Sequence, residues 1–179
     1  MTDVYFWCDL ETTGLDPAVC SITEIAVILT KGPETGFEEI DRYHRGVRNV
    51  SPLWQATAYE MAKASGLLSP GGELAAGLVT VSSSDLGGDL SRLIAKYDRP
   101  ILAARNTAFE RGFLAAHAPG VARRLHYREF DVTPLFLIDP DLYNYEHGVT
   151  GTPHRAMYDI ERDLEYAREF ARRYHGGGQ

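Results

Sequence analysis

Asp9 and Glu11 stand two residues apart at the end of a short apolar segment, Val4–Leu10 (VYFWCDL). In an extended strand residues i and i+2 share a face, so both carboxylates project together. Two acids so close repel unless a hard cation with a taste for oxygen ligands sits between them. A solvated strand end carries the same pattern. Glu110 follows Asn106 by four residues, in the run Asn106–Leu114 (NTAFERGFL). With Phe113 and Leu114 at i+3 and i+4, it shares a helix face with core residues. That suits a metal ligand on a cleft wall; a surface glutamate favoured by the helix dipole fits as well. His154 precedes Asp159 by five residues in HRAMYD. A rigid helix would put the two on different sides. A histidine in a pre-helix loop could fold back over the acid as a proton acceptor near neutral pH. Asp159 could equally pair with Arg162 at i+3.

Taken together the segments say more. Four acids from three separated stretches, with one histidine, form the inventory for two-metal phosphodiester hydrolysis. One ion would activate water, the other would stabilise the leaving oxygen, and His154 would take the proton. If Glu110 does not serve, Asp163 or Glu24 is the next acid available.

Composition leaves this open. The net charge of −7 argues against a protein that grips duplex DNA by a basic patch alone. It does not exclude a nuclease whose clustered acids are neutralised by metals. A length of 179 residues suits one domain, expected over 1–175, with a flexible tail at 176–179. Cys8 and Cys20 are too few for a disulfide scaffold or a zinc site. The start lacks the pattern of a signal peptide, and no apolar run approaches membrane-spanning length, so a cytoplasmic, soluble protein is expected.

The positioning elements follow from pattern. Val4–Leu10 and Ser21–Thr30 read as strands around a Thr12–Ala18 turn. Phe37–Arg48 reads as an edge strand, and Ser51–Gly66 as a helix opened by Ser51-Pro52. Ser69–Ser84 is the loosest segment, with a loop around 69–72. Asp85 should cap a helix to about Tyr97, followed by a strand at Ile101–Arg105 and a helix at Thr107–Ala116. Tyr127–Val132 reads as a strand, Thr133–Leu137 as a turn or helix, Asp139–Gly151 as a loop, and Pro153–Tyr174 as a long closing helix. The order is that of a mixed α/β domain.

The chain resembles the DEDD superfamily of 3′–5′ exonucleases, in the branch that uses histidine, and within it the oligoribonuclease family. The resemblance lies in Trp7–Pro17 (WCDLETTGLDP), in His126–Thr133 (HYREFDVT) and in His154–Ile160 (HRAMYDI). It implies a ribonuclease H-like fold with a mixed central sheet flanked by helices. It also implies two Mg²⁺ or Mn²⁺ ions and release of 5′-monophosphates from the 3′ end of single-stranded nucleic acid, short RNA first. By that likeness Asp9, Glu11 and Asp159 match metal ligands, and His154 matches the general base. Thr12 and Asn106, close to the acids in the sequence, are expected among the substrate-binding residues. Leu15 matches a wedge against terminal bases. Tyr127 matches a residue that reaches the neighbouring subunit's site in dimers, so a homodimer is an expectation. Trp54 is a candidate base-stacking aromatic or an anchor. One position departs: the second motif offers Glu110 where the family has aspartate, which touches metal geometry and metal preference. The rival readings are a single-stranded DNA exonuclease of proofreading type and a catalytically weak binding module.

Overall fold

A computed structural model describes residues 3–48 and 53–175. β1 (Tyr5–Thr12), β2 (Ile22–Thr30) and β3 (Glu39–Arg48) form an antiparallel meander. β4 (Thr80–Ser82), β5 (Ile101–Ala104) and β6 (Glu129–Asp131) complete one mixed sheet in the order β4-β3-β2-β1-β5-β6. β5 runs parallel to β1, and β6 parallel to β5. Crossovers between parallel strands need intervening helices, and those helices cover both faces.

Alternation along β1 divides the core. Phe6, Cys8 and Leu10 face a cluster with α2 (Leu86–Leu93), α3 (Thr107–His117) and α4 (Pro119–Arg124). Trp7 faces the other side, where α5 (Thr133–Ile138) and α6 (Ala156–His175) pack. Asp9 and Glu11 continue the Trp7 face toward α6. All nine residues of β2 are buried, because it lies between neighbours and under both layers. α1 (Ala56–Ala64) packs separately, with Ala62, Leu67 and Leu68 in a small satellite core.

Several expected boundaries move. The third strand is not an edge: β4 pairs with its end, Gly46 to Thr80 through Arg48 to Ser82. The β-forming Thr80-Val81-Ser82 was hidden inside the Gly- and Ser-rich stretch. α2 stops at Leu93, short of Tyr97, and Asp85 spends its carboxylate on the Ser82 hydroxyl (2.6 Å) instead of a helix N–H. α4 was not foreseen; Pro119 opens it, with φ already set for a first helical turn. Short 3₁₀ turns occupy Pro33–Thr35, between β2 and β3, and Pro140–Asn144, within the expected loop. The closing helix starts at Ala156, so Pro153 and His154 precede it. The expected Ser51-Pro52 helix start and the tail at 176–179 lie outside the described residues.

Candidate active site

The β1 end, the α1 flank, the α3 start and the α6 start converge on one cleft of about 540 Å³. Asp9, Glu11, Thr12, Leu15, Asn106, Glu110, His154 and Asp159 all line it. Glu11, His154 and Asp159 each bring one ligand atom within 4.8 Å of the others.

The local folding follows from a few bonds. Past Glu11 the β1–β2 register slips, and the Thr12 hydroxyl donates to the Gly14 carbonyl at 2.6 Å, closing the turn. A Cβ on Gly14 would lie 2.4 Å from Gln55 Cδ and 2.7 Å from Cys20 Sγ, so only glycine fits. Gln55 donates its backbone N–H to the Thr13 carbonyl (2.8 Å) and accepts the Leu15 N–H on its side chain (3.1 Å). This ties α1 to the turn and sets Leu15 at the cleft mouth.

Glu110 reaches the cleft from the first turn of α3. Asp131 holds that turn: it accepts from the Thr107 N–H at 3.2 Å and the Thr133 N–H at 2.8 Å. Asp159 lies in the first turn of α6. His154, just before it, has φ of 60°, a left-handed conformation costly for a residue with a Cβ. Its N–H donates to Asp159 Oδ2 at 2.8 Å, which helps hold that shape. This is the fold-back that lets a histidine five residues away share a site with the acid.

A strut behind the site was not read from the sequence as such. Glu24 on β2 is fully buried and takes a bidentate pair from Arg155 (2.7 and 3.0 Å), with His44 Nε2 at 2.7 Å and the Ala156 N–H at 3.1 Å. Burial would raise its pKa; the bonds from His44 and Arg155, the charge of Arg155 and the Ala156 N–H outweigh that and hold it at about 2. Asp163, the other reserve acid, is gripped by Arg105 at 2.6 Å. Both are committed to arginines, so Glu110 is the acid left for the second motif.

Asp9, Glu11 and Glu110, unlike Asp159 with its His154 N–H and Arg162, have no side-chain ion pair among the described residues. Glu110 is buried, and its Oε2 has no hydrogen-bond partner among the described residues. Burial first, then Asp163, Asp131 and Glu129, push Glu110 up to about 8, against its own backbone N–H. Burial, Asp159 and Glu24 push Glu11 to about 8, against Arg155. Asp9 is driven well above the carboxylate range by burial and then by Asp159, Glu11, Glu110 and Asp163. Such crowding in an all-oxygen set, with an orphaned buried carboxylate oxygen, fits a divalent cation.

Two candidates do not line the cleft. Tyr127 is 70% exposed, with its ring against His126 and under Arg128. Trp54 packs on the satellite core, edge-on to Tyr59. The apolar wall comes instead from Leu15, Met61 and Phe109, and the cationic side chains from Arg105 and Arg162. Phe109 is one residue before Glu110 and was within reach of the motif; Met61 needed the tertiary placement of α1.

The family model for exonucleases, RNase_T, matches residues 6–166. The chain belongs to this exonuclease family. Among its exonuclease relatives, an oligoribonuclease of Corynebacterium diphtheriae is 30% identical, over 93% of this chain and 82% of that protein. An oligoribonuclease of Tropheryma whipplei is 30% identical, over 91% and 90%. The zinc-bound crystal structure of an E. coli ExoI–ssDNA complex superimposes with a TM-score of 0.73 at 14% identity. It covers 98% of this chain, which spans 42% of that one. The sheet and its flanking helices thus follow the ribonuclease H-like arrangement of an exonuclease, and divalent-metal dependence goes with the family.

Proposed function

We propose that this exonuclease removes nucleotides from the 3′ end of short single-stranded RNA, as 5′-monophosphates, using two Mg²⁺ or Mn²⁺ ions. The observation that carries the reading is the convergence of Glu11, His154 and Asp159 within 4.8 Å, beside Asp9 and the partnerless Glu110. The names of the oligoribonuclease relatives favour RNA as the substrate.

Asp9, Glu11, Glu110 and Asp159 would hold the ions. When bound, the ions supply Lewis-acid activation of water and charge stabilisation of the leaving oxygen. His154 accepts the water's proton as the new P–O bond forms and the P–O3′ bond breaks. The departing O3′ takes a proton from solvent. His154 lies outside the helix, exposed and on a strained backbone, so its ring has room to approach the attacking water. Leu15, Met61 and Phe109 offer apolar surface to the terminal bases, and Asn106 and Thr12 offer polar groups at the rim.

No described helix is long and apolar enough to cross a membrane. We read the protein as cytoplasmic, and exposed Tyr127 as a contact to a second copy in a homodimer. The deciding experiment compares a matched RNA and DNA dinucleotide, with Mg²⁺ or Mn²⁺. Metal-dependent release of the 5′-monophosphate, faster from RNA, is expected. Faster release from DNA would turn the reading to the DNA exonuclease, and no release to a binding module.

A further inference from the structure

Both oxygens of Asp159 are already taken by the protein. His154 N–H occupies Oδ2 at 2.8 Å, and Arg162 Nη1 occupies Oδ1 at 2.5 Å. Arg162 lies one turn further along α6 and lines the cleft, its guanidinium 5.8 Å from the Tyr158 ring. No ion pair reaches Asp9, Glu11 or Glu110 among the described residues, so Asp159 is the member of the acid set that carries an internal counter-charge.

Arg162 also touches Asp163, but loosely, through Nε and Nη2 at 3.3 Å each. Asp163 does not depend on it. Arg105 holds that carboxylate by Nη2 at 2.6 Å and Nε at 3.0 Å, and is itself fixed over the rings of Phe136 and Tyr166. If Arg162 let go of Asp159, no buried acid would lose its last partner to anything but the cation. The guanidinium would remain at the cleft, anchored to Asp163, with donors to spare.

We propose that Arg162 is the site's built-in counter-cation. It holds Asp159 Oδ1 until a divalent cation takes that oxygen, and the freed guanidinium then positions the phosphate of the substrate. The inference rests on the exonuclease reading above. It makes cation and phosphate binding mutually reinforcing: the cation releases the fork that a phosphate needs, and a phosphate holding the fork keeps Asp159 open to the cation.

The test is Mn²⁺ titration calorimetry on the wild type, Arg162→Met, Arg162→Gln and Arg162→Lys, with and without adenosine 5′-monophosphate. The Arg162–Asp159 ion pair at 2.5 Å, a contact between opposite charges on the wall of a cleft, sets the scale of the competition. Without nucleotide, Arg162→Met and Arg162→Gln should bind Mn²⁺ about 10- to 100-fold more tightly than the wild type. Arg162→Lys keeps the charge and should stay close to wild type. The nucleotide should tighten Mn²⁺ binding in the wild type and lose that effect in Arg162→Met. Either neutral variant suffices should the other fail to fold. Mn²⁺ binding no tighter in the neutral variants than in the wild type would overturn the role of Arg162. So would a nucleotide effect undiminished in them. A wild type that binds no Mn²⁺ at all would overturn the exonuclease reading as well, which separates the two failures.

Discussion

Replacing Glu24 by glutamine should destabilise the protein and do so only above acid pH. The carboxylate is fully buried and bound by Arg155, His44 and the Ala156 N–H. Its pKa is held at about 2, against 4.5 for an ordinary glutamate. A depression of roughly 2.5 units corresponds to about 3 kcal/mol of stability for the charged form. The sign is that of a lowered carboxylate: the contribution is complete above pH 4.5 and disappears as pH falls to about 2. Glutamine keeps the shape and one acceptor but leaves the guanidinium of Arg155 without a counter-charge. For a chain of this size about 3 kcal/mol lowers the melting temperature by roughly 6–12 °C. Thermal melts of wild type and Glu24→Gln at pH 7 should show that gap, and melts near pH 2 should show it closed. Turnover at a temperature where both are folded should also fall, because the same bonds fix Arg155 and Ala156 directly behind His154. A melting temperature at pH 7 within about 2 °C of wild type would refute the strut.

Asp9→Asn or Asp159→Asn should abolish nearly all nucleotide release from a protein that remains folded by circular dichroism, since each swaps a proposed charged ligand for a neutral amide. His154→Ala should lower turnover by about 10²–10⁴-fold with a smaller change in substrate binding, separable by a KM-against-kcat comparison. Glu110→Gln should cost far more activity than Glu110→Asp, and the longer arm of the native glutamate should favour Mn²⁺ over the geometrically strict Mg²⁺ in the same assay. Glu11 and Glu110 are raised to about 8, so their favourable contribution to the metal-free fold is complete below pH 4.5 and lost as pH rises toward 8. If Glu11 and Glu110 are the proposed ligands, Mn²⁺ binding at pH 7 displaces protons, and calorimetry in buffers of different ionisation enthalpy should detect their release.

The strands and the acids were legible because both obey short-range rules. Apolar β-formers placed β2 to within one residue and β1 to within two, β1 running on through Glu11 to Thr12, and the two-residue period placed Asp9 and Glu11 on one face. His154 was legible only as a conditional: its approach to Asp159 depends on a left-handed backbone that no periodicity encodes. The alternative weighed for Asp159, an i+3 pair with Arg162, is present too, so one carboxylate carries both readings. Long-range partners were not legible. Glu24 meets Arg155 across 131 residues, and Arg105 meets Asp163 across 58; nothing local in either segment names the other. β4 was lost in a glycine-rich stretch because three residues are too few for alternation to register. Trp54 drew notice for its ring, yet its surroundings of Ala62, Leu67 and Leu68 were set by how α1 folds back on its own tail.

β1 lies between β2 and β5, and Asp9 sits opposite Ala26 within a continuous antiparallel ladder. His154 belongs to a stretch, residues 145–155, that forms no regular element. The acids and the histidine of the proposed mechanism are thus mounted on parts of very different local stability. Amide protons around Asp9 should be among the last in the chain to exchange with solvent, while those around His154 open early. A peptidase meeting the folded protein would find its cut in the histidine segment, and the clipped product would keep the acid strand locked in the sheet. On the proposed mechanism a cut there would displace His154, the proposed proton acceptor, while leaving the acids of β1 in place, so turnover would be lost before the acid strand is disturbed.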